Sequence, residues 1–304
     1  MFAIPMQSLK GETHKQASTP ASAVILSRVT QVQQMLAVDL FFMKKIPFLL
    51  GELVPLWLAL CIPIKNITAE VIASSIRSII ITARSRYFDY VELRIDDKDA
   101  LAAMSQELNC LGIVLDVAGS GQHVPTIENK SKTIKERVRA HKNSLPYVMT
   151  RLLITMCVMF CVSRLNMQPR RVSVDRTSSL EQFTGCKIDA TRDLRIQFGE
   201  CVQAIDSDTD NTMRSRTQGC IALLPTRNLC GSVKMLRLAT GIVVTRDQFK
   251  ILPMPDLVVM HITLLAASQG YTRQLPTSPW SSRSWWQKYV ACRANTWHDD
   301  YRWT

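Results

Sequence analysis

Residues 34–43 read QMLAVDLFFM, and IPFLLGELVPLWLALCIPI follows at positions 46–64. The first stretch is apolar and rich in residues that favour strands, and one acid, Asp39, lies inside it. The second stretch contains three prolines and the charged Glu52, which makes it a poor membrane helix. It is interpreted as two short strands turned at Gly51–Pro55. Three strands joined by short turns predict an antiparallel beginning to a sheet.

Helix and strand patterns alternate along the chain after these three strands. They predict, in order, a helix over 66–86 capped by Thr68, a strand over 89–96, a helix over 98–111, a strand over 113–118, and helices over 125–141 and 146–166. Strands that are connected through helices are expected to be parallel. The pattern therefore predicts an α/β domain with a mixed five-stranded sheet and flanking helices.

The rest of the chain is divided by composition. Residues 1–30 are polar and are interpreted as a tail or linker, which leaves 31–166 as the α/β domain. Residues 167–212 are polar and are interpreted as a connecting segment. Three short β runs within 213–255 predict a small antiparallel β domain. Residues 256–304 are predicted to be a short helix followed by a tail that holds five of the six tryptophans and does not fold with the rest.

The overall charge favours an anionic partner. Among 304 residues, Lys and Arg total 37 against 25 Asp and Glu, which gives a net charge of +12 and a pI near 9.4. A hydrophobic fraction of 47% excludes a wholly disordered chain. Nucleic acid, acidic lipid and acidic protein all remain open as partners at this point.

The cysteine pattern is that of a protein from a reducing compartment. The nine cysteines are odd in number, scattered, and include no CxxC pair. This argues against a disulfide framework and against a zinc knuckle. No secretory signal begins the sequence. We therefore expect an intracellular protein of the nucleus or cytoplasm, with no membrane partner.

Three carboxylates form the candidate catalytic and metal site: Asp39 within the first strand, Asp96 at the end of a strand, and Glu128 in the first turn of a helix. Two neighbouring strands and a helix start can bring three acids to one point. Clustered carboxylates repel one another, and a divalent cation such as Mg²⁺ resolves that repulsion. Two such ions can support phosphoryl transfer. Taken singly, Asp96 also fits a turn former, and Glu128 a favourable charge at a helix N-terminus.

A row of cations follows Glu128 on the same predicted helix. Their spacing places on one face the residues Lys132, Lys135, Arg139 and Lys142, which we call the basic stripe. Such a stripe can hold a phosphate backbone beside the acids. Together with Lys130, these residues are the candidate nucleic-acid-binding set. A solvated helix face with pairs such as Glu128–Lys132 is the alternative interpretation.

Several motifs resemble one family in their order. AVDLFF, ELRIDDKDAL and GQHVPTIENKSKT resemble the three acidic motifs of retroviral-type integrase catalytic cores, in particular those of copia-type LTR retrotransposon integrases. Three downstream segments are similar to later parts of that family: LPYVMTRLLITMCVMFCVSRLN, SSLEQFTGCKIDATRDLRIQFGECV and RTQGCIALLPTRNLCGSVKMLRLATGIVVTRDQF. The resemblance covers roughly residues 8–255.

The resemblance implies an RNase H-like fold and DNA integration by a two-metal polynucleotidyl transferase that uses Mg²⁺ or Mn²⁺. It implies DNA partners, both element ends and target, with a homo-oligomer as one option, and a chain that is a fragment of a Pol polyprotein. The family's catalytic acids carry over to Asp39, Asp96 and Glu128, and its basic helix position to Lys132.

The sequence departs from the family pattern around the second and third acids. Asp97, Lys98 and Asp99 follow Asp96 where the family has Asn-Gly-Gly, and no Asn-Gly precedes Glu128. These departures predict a degenerate enzyme. One alternative is a non-catalytic nucleic-acid-binding protein of RNase H-like fold, and another is an α/β scaffold that binds an acidic protein.

Overall fold

The apolar N-terminal run forms three antiparallel strands: β1 (Gln34–Met43), β2 (Ile46–Val54) and β3 (Leu58–Pro63). The computed structural model describes residues 34–95, 110, 112–117, 125–169, 176–206 and 215–271. The predicted linker over 1–30 and the Trp-rich tail beyond 271 lie outside these ranges, as does nearly all of the predicted helix over 98–111.

The predicted mixed sheet is confirmed. β1 pairs in parallel with β4 (Tyr90–Ile95), and β4 pairs in parallel with β5 (Val114–Val117). The resulting order is β3-β2-β1-β4-β5, antiparallel on one side of β1 and parallel on the other. β1 therefore lies at the centre of the sheet, with its residues accessible to elements on both faces.

The turn predicted at Gly51–Pro55 is wrong in its first residue. Gly51 lies inside β2, and the chain turns after Val54. A Cβ atom at Gly51 would stand 3.0 Å from the Ile79 side chain and 3.2 Å from that of Leu36. Glycine is required here because a helix approaches the strand closely, which a local turn signal does not reveal.

Helices cover both faces of this sheet because alternate strand residues point to opposite sides. On one face, α1 (Ala69–Arg84) packs on a cluster that includes Leu36, Val38, Leu49 and Leu53. On the other face, α2 (Pro125–Ser144) and α3 (Arg151–Asn166) pack on a cluster that includes Ala37, Phe41, Phe48 and Leu50.

Hydroxyl side chains cap two of these helices. Thr68 accepts a hydrogen bond from the Val71 N–H, so the predicted cap of α1 is confirmed. Thr150 does the same for Leu153 at the start of α3. The predicted helix over 146–166 therefore begins later than its apolar pattern indicates, because an N-cap residue itself has extended backbone.

The end of α3 holds the outer edge of the sheet. Asn166 is buried, and its Oδ1 accepts from the Ala59 N–H at 2.9 Å while its Nδ2 donates to the Ala59 carbonyl at 2.7 Å. β3 is the edge strand on this side, so its outward backbone groups need partners. One amide side chain satisfies both groups of Ala59 and ties α3 to the sheet.

We expect Asn166→Ala to lower the free energy of unfolding by about 2–3 kcal/mol, because it leaves a buried N–H and a buried carbonyl without partners. Urea denaturation followed by circular dichroism measures the loss. Asn143→Ala, at an exposed position of α2, is the matched control and is expected to change stability by less than about 0.5 kcal/mol. Equal effects of the two substitutions would contradict this assignment.

A second five-stranded sheet is wholly antiparallel. Its strands are β6 (Cys201–Ile205), β7 (Thr217–Pro225), β8 (Val233–Arg237), β9 (Val243–Arg246) and β10 (Phe249–Leu252), in the order β10-β6-β7-β8-β9. The antiparallel β structure predicted within 213–255 is thus present. Helix α6 (Asp256–Ser268) follows it, as predicted.

The boundaries of this part differ from the predicted ones. The segment over 167–212, interpreted as a connection, contains helices α4 (Ser179–Thr184) and α5 (Ala190–Asp193) as well as strand β6. The second sheet is also not separate from the first domain, because Cys201, Ile221 and Leu223 belong to the same apolar cluster as α3. The polar residues of this segment lie in its loops and hide a short buried strand.

Helix α4 is stabilised by reciprocal capping. The Ser178 Oγ accepts from the Glu181 N–H, and the Glu181 carboxylate accepts from the N–H groups of Ser178 and Ile188. Burial alone raises the pKa of Glu181, but these hydrogen bonds outweigh it and hold the pKa below its ordinary value. The motif SSLEQFTG is therefore a helix with both its caps, since Gly185 ends it at φ 69°.

Within the described ranges, no helix is both long and apolar enough to cross a membrane. The eight cysteines among the described residues are all free. Cys157 and Cys161 are buried in α3 and serve as small core residues.

Candidate functional site

Asp39 lies on the face of the first sheet that α2 covers. In β1, Ala37 and Phe41 belong to the cluster under α2 and α3, and Asp39 stands between them in the alternating pattern. It is half-buried, and Leu50 of β2 is its cross-strand partner. The acid predicted from an apolar strand is thus at the centre of the sheet, on one defined side.

Helix α2 crosses β1 with two different flanks. Its core stripe is formed by Ile127, Ile134 and Val138. On one flank, the Lys130 Nζ lies 3.0 Å from an Oε1 of Glu52, which belongs to β2. On the other flank, Lys135 lies over the Phe41 ring of β1, with its Nζ 5.6 Å from the ring centroid.

Glu128 shares the flank of Lys135. The two residues are two helical turns apart, so their side chains leave the helix in nearly the same direction. The opposite flank faces β2, and β4 lies on the other side of β1 from β2. Glu128 is exposed and therefore stands on the same side of the sheet as Asp39, on the flank away from β2.

The third predicted acid, Asp96, lies outside the described residues. The residue before it, Ile95, is the last of β4 and pairs with Val38, the residue before Asp39. Within the described ranges, no group of three or more His, Cys, Asp or Glu residues is close enough to hold a metal ion. The structure thus places two of the predicted acids on one side of the sheet, and the triad as a whole stays a prediction.

Glu52 is the functional-site neighbour that sequence reasoning missed. Its side chain is fully buried, with 0% exposure, on the same face of the sheet as Asp39. The signal was available, because an acid in an apolar run needs a partner when it is buried. The interpretation of the run as a non-membrane segment used the charge of Glu52 without asking what neutralises it.

The predicted role of Lys130 in nucleic-acid binding does not fit its position. Its amino group points to the sheet and is occupied by Glu52, whereas a phosphate contact needs it to face solvent. The physical reason is helical geometry, because Lys130 lies on the flank opposite to the basic stripe. Lys130 therefore belongs to the framework of the site.

The basic stripe itself is largely open to solvent. Lys132, Arg139 and Lys142 are exposed, and Lys135 is half-buried against Phe41. The stripe runs along the same flank of α2 as Glu128. A polyanion lying on this flank would meet the cations and the carboxylates together.

Comparisons with known proteins give one likeness of fold. No protein-family model matches the chain, and no curated protein is significantly similar to it. Among solved structures, the chain is similar to the crystal structure of the catalytic core domain of BIV integrase, over 49% of this chain and 93% of that chain. The sequence identity is 16% and the TM-score 0.38. A likeness at this level leaves the function to be inferred from the residues of the chain itself.

Proposed function

We propose that this chain is an RNase H-like, integrase-core protein that binds DNA, with a metal-dependent polynucleotidyl transferase site at Asp39, Asp96 and Glu128. The observation that carries the proposal is the position of Asp39 and Glu128 on one side of the central strand, at the level where β4 ends. The strand order, with its antiparallel and parallel halves, matches the mixed sheet that the sequence resemblance implies.

The donor set fits a hard divalent cation. Carboxylate oxygens are the ligands that Mg²⁺ and Mn²⁺ prefer, and Asp39, Asp96 and Glu128 would supply them. When bound, the ions would activate the attacking hydroxyl and stabilise the leaving oxygen of a phosphodiester. The half-buried position of Asp39 fixes one ligand on a rigid strand, and the exposed Glu128 contributes from the solvent side.

The remaining residues of the flank hold and position the substrate. Lys132, Arg139 and Lys142 carry positive charge along the direction in which a phosphate backbone would lie. These contacts carry no base code, so the expected binding is independent of sequence. The Glu52–Lys130 ion pair keeps α2, and with it Glu128, in place on the sheet.

The metal site is tested by calorimetric titration with MnCl₂. We expect binding by the unchanged protein, loss of that binding in Asp39→Asn, and at least tenfold weaker binding in Glu128→Gln. Glu136→Gln, an exposed acid on the same helix, is the matched control and is expected to bind as the unchanged protein does. Binding that persists in Asp39→Asn would contradict the site. Absence of metal binding together with intact DNA binding would favour the non-catalytic nucleic-acid-binding protein.

The DNA surface is tested by charge reversal. In Lys132→Glu/Arg139→Glu, we expect weaker binding to all duplex sequences and a shallower dependence of log K on log salt. The slope should fall by roughly 0.9 for each phosphate that the altered side chains no longer neutralise. Fluorescence anisotropy over a salt series measures both quantities.

The control for this experiment has the same change in net charge at distant exposed positions, Lys65→Glu/Lys250→Glu. It is expected to retain the salt slope of the unchanged protein. If both double variants reduce the slope equally, only the overall charge of the protein matters, and the stripe is a solvated helix face.

A further inference from the structure

A group of arginines lies where the β7–β8 loop meets α5, away from the flank of α2. The loop is held closed by Asn228, whose Oδ1 accepts from the Ser232 N–H at 2.8 Å and whose Nδ2 donates to the Ser232 Oγ at 2.8 Å. Gly231 lies directly against Arg192, because a Cβ there would be 2.8 Å from the Arg192 Cγ. Arg227 is part of this loop, so its backbone is held near Arg192.

The acid in this group is already in use. Asp193 is buried, and its carboxylate accepts from Nε and Nη2 of Arg192, each at 3.0 Å. It also accepts from the Asp189 N–H at 3.1 Å. Asp193 thus neutralises Arg192 and has little capacity left for a second guanidinium.

The Arg227 side chain lacks such a partner. It is half-buried, and within the described part of the chain its guanidinium makes no hydrogen bond and no ion pair. Burial lowers the pKa of Arg227; the attraction of Asp193 opposes this, and the charges of Arg86 and Arg192 add to it. A guanidinium in this position has given up part of its hydration without acquiring a counter-charge.

Arg86 approaches from the other side. It is exposed in the turn that follows α1, and this turn is held against α4 by the stacking of Phe88 on Phe183, with ring centroids 5.4 Å apart. The Arg86 side chain likewise makes no hydrogen bond or ion pair within the described ranges. Three guanidiniums, of which two have no partner among the described residues, therefore surround one carboxylate that is already bonded.

We propose that Arg86, Arg192 and Arg227 form a binding site for a phosphate group. Guanidinium groups present planar pairs of donors that match phosphate oxygens, and Arg remains charged even where burial disfavours it. A tetrahedral anion with several acceptor oxygens can accept from Arg227 and Arg86 together, which a single carboxylate such as Asp193 does not achieve. The site takes either a phosphodiester of a polynucleotide or a free phosphate ester, and it does not depend on the metal site or on the basic stripe.

The probe is inorganic phosphate, and the readout is thermal unfolding in sodium phosphate compared with sodium chloride at equal ionic strength. We expect phosphate to raise the melting temperature of the unchanged protein in a saturable way. Arg227→Gln and Arg86→Gln are each expected to weaken the apparent phosphate affinity at least tenfold. Arg86→Gln changes an exposed side chain without hydrogen bonds to the described residues, so it provides a test that does not perturb the fold. Arg139→Gln, on the basic stripe, is expected to leave the phosphate effect unchanged.

A second measurement distinguishes the two sources of phosphate. If duplex-DNA affinity in fluorescence anisotropy also falls in Arg227→Gln, the natural ligand is a polynucleotide backbone. If only the phosphate effect falls, the ligand is a small phosphate ester. The proposal is overturned if phosphate stabilises the protein no more than chloride, or if it stabilises Arg227→Gln and Arg86→Gln as strongly as the unchanged protein. Failure of the basic stripe or of the metal site leaves these outcomes unaffected.

Discussion

Replacing Lys130 with alanine is expected to lower the free energy of unfolding by about 3–5 kcal/mol, the usual cost of leaving a buried charge without its partner. The Glu52 carboxylate has 0% exposure and lies 3.0 Å from the Lys130 amino group, so water cannot replace the missing ammonium without opening the helix from the sheet. Guanidinium chloride denaturation followed by circular dichroism measures the change.

Two further variants separate the ion pair from the helix. Lys132→Ala, at an exposed position of α2, is expected to change stability by less than about 0.5 kcal/mol. The double variant Glu52→Gln/Lys130→Met removes both charges and is expected to recover most of the stability. A surface ion pair contributes at most about 1 kcal/mol. A smaller decrease than that in Lys130→Ala would show that the pair does not hold α2 on the sheet.

The consequence for the proposed site is positional. Lys130 and Glu128 lie near the start of the same helix, on different flanks. A loosened helix start would therefore displace Glu128 relative to Asp39. Since a misplacement of ~1 Å can cost ~10²-fold in rate, Lys130 acts as a positioning residue for any chemistry at this site.

Replacing Gly199 with alanine is expected to lower the free energy of unfolding by about 3–4 kcal/mol, through backbone strain and overpacking together. Gly199 has φ 85°, and an added Cβ would stand 2.7 Å from the Tyr147 hydroxyl oxygen and closer still to the Leu145 side chain. The Tyr147 hydroxyl also donates to the Gly199 carbonyl at 3.0 Å, so the loop cannot move away without breaking a buried hydrogen bond. Thermal and urea unfolding measure the decrease.

Gly241→Ala is the matched control for backbone strain alone. Gly241 has φ 67°, and a Cβ there would meet nothing within 4 Å. We expect it to cost about 1 kcal/mol. Equal decreases at the two glycines would show that the close packing around Gly199 contributes nothing.

The sequence by itself determined the elements whose signals are local. The apolar run over 34–43 became β1, the hydroxyl of Thr68 capped α1, and the spacing from Glu128 to Lys142 placed a carboxylate and the basic stripe on one helical flank. Each of these follows from residues within a few turns of one another, because periodicity and capping are properties of short segments. The position of Asp39 at the centre of the sheet also follows, since the order of strands and helices restricts the topology.

Only the tertiary structure decided which side chains meet across the chain. Lys130 was predicted to contact phosphate, yet it pairs with Glu52 from a distant strand. Asn166 holds Ala59 across 107 positions of sequence, and Gly51 lies within a strand because Ile79 of α1 approaches it. The strand β6 lies in a segment interpreted as a connection. In each case the partner lies far away in sequence, and the burial that makes the interaction necessary exists only once the sheets and helices have packed.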